Sequence, residues 1–134
     1  GEIQRASNRR LMIRRIASGG VYEPRIGYCR AVVAGGFIHV SGTVAGPDVP
    51  DDVVAQCQSA LGIMERALAE AGASFADALR VRYILPNLAD FELCWPVLSA
   101  AFGDNPPAAT MISADLIDPK YKIEIELTAL DPNA

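Results

Sequence analysis

Hydrophobic side chains recur at three- and four-residue steps through Val53, Cys57, Ala60, Leu61, Met64, Leu68 and Ala71. That spacing gathers them on one stripe of a helix about five turns long. Asp51 or Asp52 stands where a carboxylate oxygen can cap the free amides of its first turn. Gly72 stands where a left-handed cap ends it. Residues 79–85 alternate Val81, Tyr83 and Leu85 against Arg80, Arg82 and Ile84, the period of a strand. Phe91, Trp95, Leu98 and Phe102 mark a second helix over residues 90–102, in which Pro96 is expected to kink or delay the winding. Upstream, residues 28–34 and 37–43 are β-prone runs around Gly35-Gly36, a pair that supplies the positive φ angles of a tight hairpin. Residues 14–18 form a short first strand ended by Gly19-Gly20. Residues 109–114 and 121–130 close the chain, the latter alternating Tyr121, Ile123, Ile125 and Leu127 against Lys122, Glu124, Glu126 and Thr128. Strand–helix–strand order implies parallel, right-handed crossovers. The prediction is an α+β domain with two helices on one face of a mixed sheet.

The 134 residues suit one domain, about half of it hydrophobic and a fifth charged, which sets aside a disordered chain. Residues 14–134 form that domain, and residues 1–13 are expected to be an N-terminal extension, partly disordered. No apolar stretch approaches the roughly 18 residues of a membrane helix, and no secretory leader is recognisable, so a cytoplasmic protein is expected. The net charge of -4 argues against nucleic acid as a partner. The basic cluster Arg9, Arg10, Arg14 and Arg15 is expected to be a solvated terminus rather than a phosphate-binding arm. Cys29, Cys57 and Cys94 are odd in number and widely spaced, which suits three separate thiols rather than a disulfide frame or zinc site. Cys57 belongs to the helical stripe. His39 is the single histidine and has no ligand partner at a metal-binding spacing, so it is expected to be structural or interfacial.

Three segments together carry a family resemblance over residues 14–130. Pro106-Pro107-Ala108-Ala109-Thr110-Met111-Ile112 leads through Leu116-Ile117-Asp118-Pro119 into Lys122-Ile123-Glu124-Ile125-Glu126. Gly27-Tyr28-Cys29-Arg30 leads into Phe37-Ile38-His39-Val40-Ser41-Gly42-Thr43, and a helix from Gln56 ends in Ala71-Gly72-Ala73-Ser74 before Asp77. In this order they resemble the Rid (reactive intermediate deaminase, or YjgF) family. The resemblance implies a chorismate-mutase-like fold and a homotrimer with a small-molecule cleft at each subunit interface. It also implies a 2-iminobutanoate/2-iminopropanoate deaminase-like hydrolase that needs no metal or organic cofactor. In such a cleft an arginine pairs with the substrate carboxylate, a glutamate positions or activates water, and a tyrosine and backbone groups complete the site. Glu124 matches the glutamate, Tyr28 the tyrosine and Ser41 the hairpin serine. Thr110 is placed to offer a backbone amide to a ligand oxygen. Ala109 stands at the arginine position and Met111 where many deaminating members have cysteine, which marks a branch without the signature arginine.

Each candidate also has a plain structural reading. Glu124 alternates with Ile123 and Ile125, as a solvated strand face does. Tyr28 suits packing at a trimer contact as well as a cleft. Arg30 and Arg82 are candidates for the missing cation and are otherwise surface arginines. Ser41 can satisfy the turn at Gly42. Without G-x-S-x-G or a neighbouring histidine, a serine hydrolase is not supported. Two function classes stay open: imine hydrolysis at Glu124, and a non-catalytic or regulatory trimer that binds a metabolite in the same cleft. Ala109 and Met111 make that cleft less anion-selective. An endoribonuclease or translation inhibitor ranks below both, given the acidic balance and the lack of an aromatic–basic RNA surface.

Overall fold

The computed structural model describes residues 12–134. The expectations for residues 1–11, including the Arg9–Arg10 pair, lie outside the described residues. Six strands form one sheet in the order β1-β2-β3-β6-β4-β5. They are β1 (Arg14–Ile16), β2 (Ala31–Ala34), β3 (Phe37–Thr43), β4 (Ala78–Leu85), β5 (Ala108–Ser113) and β6 (Glu124–Leu130). A short helix α1 (Tyr22–Ile26) follows β1, α2 (Val53–Glu70) joins β3 to β4, and α3 (Phe91–Phe102) joins β4 to β5. β6 is antiparallel to both β3 and β4, so α2 connects two parallel strands with β6 between them. The crossover through α3 joins β4 to its parallel neighbour β5.

The helical stripe packs as its spacing requires. All seven of its residues are buried, and Asp52 Oδ2 caps the helix by accepting the Ala55 amide at 2.9 Å. At the other end Gly72 adopts φ 82°, and the Ala73 amide returns to the Leu68 carbonyl at 2.8 Å. Gly35 and Gly36 both have positive φ and close the β2–β3 hairpin with a two-residue turn. Ile38 and Val40 of β3, Val81, Tyr83 and Leu85 of β4, and Ile125 and Leu127 of β6 face the helices. Full burial of a side chain such as Ile38, Met64, Leu68 or Ile125 stabilises the fold by roughly 1.5–3 kcal/mol. His39, Arg80, Arg82, Glu126 and Thr128 project from the opposite, uncovered face; His39 Nδ1 lies 3.2 Å from Thr128 Oγ1.

The structure corrects several boundaries. The first strand ends at Ile16 and the second begins only at Ala31; the helix α1 between them has no sequence counterpart above, because five residues are too few for a period. α3 runs through Pro96 without a break. Pro96 and Glu92 are both exposed, so the carbonyl left without a donor is open to water. Its buried side is Cys94, Leu98 and Phe102, whereas Trp95 is 53% exposed, contrary to the face assigned from the sequence. The Cys57 thiol is pushed well above its ordinary pKa by hydrogen bonding to Cys94 and by burial, as suits a core thiol.

The last strand starts at Glu124, not at Tyr121. Gln56, fully buried on α2, occupies the partner's place: its Nε2 donates to the Pro50 and Lys120 carbonyls at 2.8 and 3.0 Å, and its Oε1 accepts the Lys122 amide at 2.7 Å. Tyr121 and Ile123 are thus buried without a ladder. Gln56→Leu should lower the unfolding free energy by about 1–3 kcal/mol, because these backbone groups lose their partner. An unshifted urea midpoint would refute that role for Gln56.

Candidate functional site

A cavity of about 1220 Å³ opens beside the start of β6 and brings together Tyr28, Arg30, Ser41, Gly42 and Glu124. Its floor is an irregularity in β3. Val40 pairs with Leu127 and Thr43 with Ile125, so Ser41 and Gly42 together oppose the single residue Glu126. Such a bulge re-aims the strand and frees backbone groups from the ladder. Ser41 closes one side: its amide donates to the Arg30 carbonyl at 2.9 Å and its hydroxyl to the Cys29 carbonyl at 2.7 Å.

Glu124 lies over the bulge. A Cβ on Gly42 would fall 2.9–3.2 Å from the Glu124 carboxylate atoms, so the carboxylate rests against the glycine face. Burial raises its pKa, the neighbouring Glu126 raises it further, and Arg30 opposes both. Among the described residues, no ion pair or hydrogen bond takes up the Glu124 carboxylate. A half-buried carboxylate of raised pKa with free lone pairs can accept a proton from water.

Arg30 is buried, which removes the surface reading given to it from the sequence. Its Nη1 donates to the Gly42 carbonyl at 2.8 Å and Thr43 Oγ1 at 2.9 Å, and its Nε to Ser18 Oγ at 3.3 Å. Nη2 donates to the Tyr28 hydroxyl at 3.3 Å and lies 3.7 Å from Glu23 Oε2. Four of the five guanidinium N–H groups are thus hydrogen-bonded within the chain, and the buried Glu23 carboxylate pairs with the charge. Glu23, also buried and absent from the sequence-derived candidates, is held by Ser18 and Gly20. Burial alone would raise its pKa, but the hydrogen bonds from Ser18 and Gly20 and the Arg30 charge bring it below the usual carboxylate value.

The remaining candidates lie elsewhere. β4 separates β5 from β6, which puts Ala109, Thr110 and Met111 at least two strand spacings, roughly 10 Å, to the side of Glu124, and Ala109 three residues further along, level with Leu127. Ala109 and Met111 align with Val81 and Tyr83, whose side chains face the helices, while Glu124 aligns with Ile84 on the other face. Thr110 accepts a hydrogen bond from Arg80 on the uncovered face. Arg82 pairs with Glu126 at 3.1 Å and is half exposed. Beside β5 a smaller apolar cavity of about 260 Å³ is lined by Tyr83, Phe91, Trp95, Phe102 and Pro106. Among the described residues no group of three or more His, Cys, Asp or Glu side chains could hold a metal ion, and no helix is long and apolar enough to cross a membrane.

The two-helix mixed sheet has counterparts among solved structures. The endoribonuclease L-PSP family model matches residues 21–131. The chain belongs to this family, the YjgF or Rid family. A crystal structure of a YjgF-family protein from Mycobacterium tuberculosis is similar, with 34% identity and a TM-score of 0.83, over 89% of this chain and 99% of that one. A RutC family protein of Pyrococcus abyssi is 31% identical over 107 residues, 76% of this chain and 84% of the relative. The human 2-iminobutanoate/2-iminopropanoate deaminase is 27% identical over 125 residues, 89% of this chain and 91% of that protein. The Rid assignment and the α+β expectation from the sequence are both borne out.

Proposed function

We propose that the protein is a Rid-type hydrolase that adds water to small imines or enamines in a cleft completed by a neighbouring subunit of a homotrimer. The observation that carries this reading is the free, half-buried Glu124 carboxylate beside Gly42, Ser41 and Tyr28. Glu124 takes a proton from water as its oxygen attacks the imine carbon, and the nitrogen gains a proton. The resulting carbinolamine loses ammonia and leaves the carbonyl product. The name of the human relative supports the substrate class. Two features support the trimer: the sheet face without helices, where Phe37, Ile112 and Leu130 are exposed, and the separation of Ala109 and Met111 from Glu124. A cyclic assembly brings the β5 edge of one subunit towards the Glu124 cavity of the next. Neither cofactor nor metal is part of this reading, and the cytoplasm is the compartment proposed for it.

One observation favours a second reading, a trimer that binds a neutral metabolite without turnover. Ala109 supplies no cation, and the Arg30 charge is already paired with Glu23, with four of its N–H groups hydrogen-bonded within the chain. The nuclease suggested by the family's description has less support, since His39 lies beside Thr128 and does not line the cavity. Ala109→Arg separates the first two readings. In a catalytic cleft it should raise kcat/KM for 2-iminobutanoate about ten- to hundredfold, the effect of one charge-assisted hydrogen bond. A wild type that binds ligand and returns it unchanged, with no turnover gained in Ala109→Arg, would establish the binding role instead.

A further inference from the structure

The bulge at Ser41–Gly42 needs something to hold it. The Gly42 carbonyl sits between the paired positions of β3 and β6, and a backbone acceptor in such a place requires a donor. Arg30 Nη1 is that donor, and the same nitrogen bonds Thr43 Oγ1 across the bulge. Glu124 in turn rests on Gly42. We propose that Arg30, held in place by Glu23, is a positioning residue: it fixes the bulge at residues 41–43 and thereby the seat of the Glu124 carboxylate.

The local sequence is built around this pair. α1 places Glu23 under the guanidinium, and Gly27 ends the helix with φ 93°. The Ser18–Gly20 loop wraps the carboxylate, which accepts the Ser18 amide at 3.2 Å, the Ser18 hydroxyl at 2.6 Å and the Gly20 amide at 2.9 Å. A Cβ at Gly20 would stand 2.6 Å from Glu23 Oε2, so the loop closes this tightly only with glycine there. Ser18 bonds both Glu23 and Arg30, and Tyr28 stacks on Arg30 with its ring centroid 5.4 Å away. A lysine could not span these partners, because an ammonium lacks the planar fork. The arginine therefore serves the shape of the cleft rather than a substrate carboxylate. Glu124 is faced by Arg30 and Tyr28 from the segment before β2 and by Glu126 from its own strand. Arg66 and Glu70 of α2 and Lys120 before β6 line the same cavity.

The inference rests on Glu124 as the reactive carboxylate but is tested without substrate. Carboxyl ¹³C NMR follows the titration of Glu124, and amide hydrogen exchange follows residues 41–43, in the native protein, Arg30→Lys, Arg30→Gln and Thr43→Val. Arg30→Gln should raise the Glu124 pKa and speed exchange. Arg30→Lys, which keeps the charge and loses the fork, should leave the titration near native while exchange rises about tenfold, as for one lost hydrogen bond. Thr43→Val should speed exchange at the same amides and leave the titration unchanged. Should Arg30→Gln fail to fold, the other two variants decide the matter. Native exchange in both Arg30→Lys and Thr43→Val overturns the proposal. If the native protein lacks imine turnover but shows the expected NMR behaviour, the hydrolase reading fails and the positioning role stands.

Discussion

Glu124→Gln should abolish imine turnover and, in the same molecule, raise the melting temperature at neutral pH. In the proposed reaction the catalytic loss follows from removing the group that accepts the proton of water, a role worth about 10²–10⁴ in rate. Glutamine keeps the size and shape that rest on Gly42, so the cleft should survive. The gain in stability follows from the direction of the pKa shift. Burial and Glu126 lift the folded-state pKa of Glu124 above its unfolded value, against the pull of Arg30. Its contribution to stability is therefore fully present below the unfolded carboxyl value of about 4.3 and is lost as pH rises through the folded pKa. As pH rises above the unfolded value, the native protein carries the growing cost of ionising that carboxylate in its folded site, and the variant does not. Melting curves from pH 4 to 8 should diverge as pH rises, with the variant the more stable. Equal melting temperatures across the range would show that Glu124 titrates as an ordinary surface carboxylate. Stability given up at one residue for the sake of activity is a common signature of a functional site.

Arg30→Met should destabilise the fold by about 3–5 kcal/mol, the effect of removing one partner of a buried ion pair. The substitution leaves the Glu23 charge uncompensated and takes donors from Ser18, Tyr28, Gly42 and Thr43. The double variant Glu23→Leu/Arg30→Met should recover part of the loss, because no unpaired charge then stays buried. Urea unfolding at fixed protein concentration measures both, and a fall of less than about 1 kcal/mol in Arg30→Met would mean that water reaches the pair. Glu23 has the opposite pH signature to Glu124. Its folded pKa is depressed, so its contribution is present above the unfolded value and is lost as pH falls through the folded one.

The two sites differ in how far the sequence discloses them. The α2 stripe, its Asp52 and Gly72 ends and the Gly35-Gly36 turn were all legible, because each depends on neighbours within a few residues. Tyr28, Ser41 and Glu124 were legible by resemblance, and they do line one cavity. Arg30 was misjudged, and Glu23 and Gln56 were passed over, for a shared reason. A charged or amide side chain is most often solvated, and its burial depends on partners that only the tertiary structure supplies. The Gln56 contacts span more than sixty positions, which no local pattern records. The alternation at residues 121–130 was real, but Gln56 takes the place of a strand partner for its first three residues. The separation of Ala109 from Glu124 was invisible for another reason: the strand order puts β4 between two segments that are adjacent in the sequence.

Water addition to a small imine, driven by Glu124, is the step on which the proposed reaction turns. Its most direct test follows the disappearance of 2-iminobutanoate, generated in situ and trapped with semicarbazide, in the presence of native protein and of Glu124→Gln. Loss should be faster with the native protein and should return to the uncatalysed rate with the variant. Loss that is equally fast with both proteins, or native protein no faster than buffer, would contradict this role of Glu124.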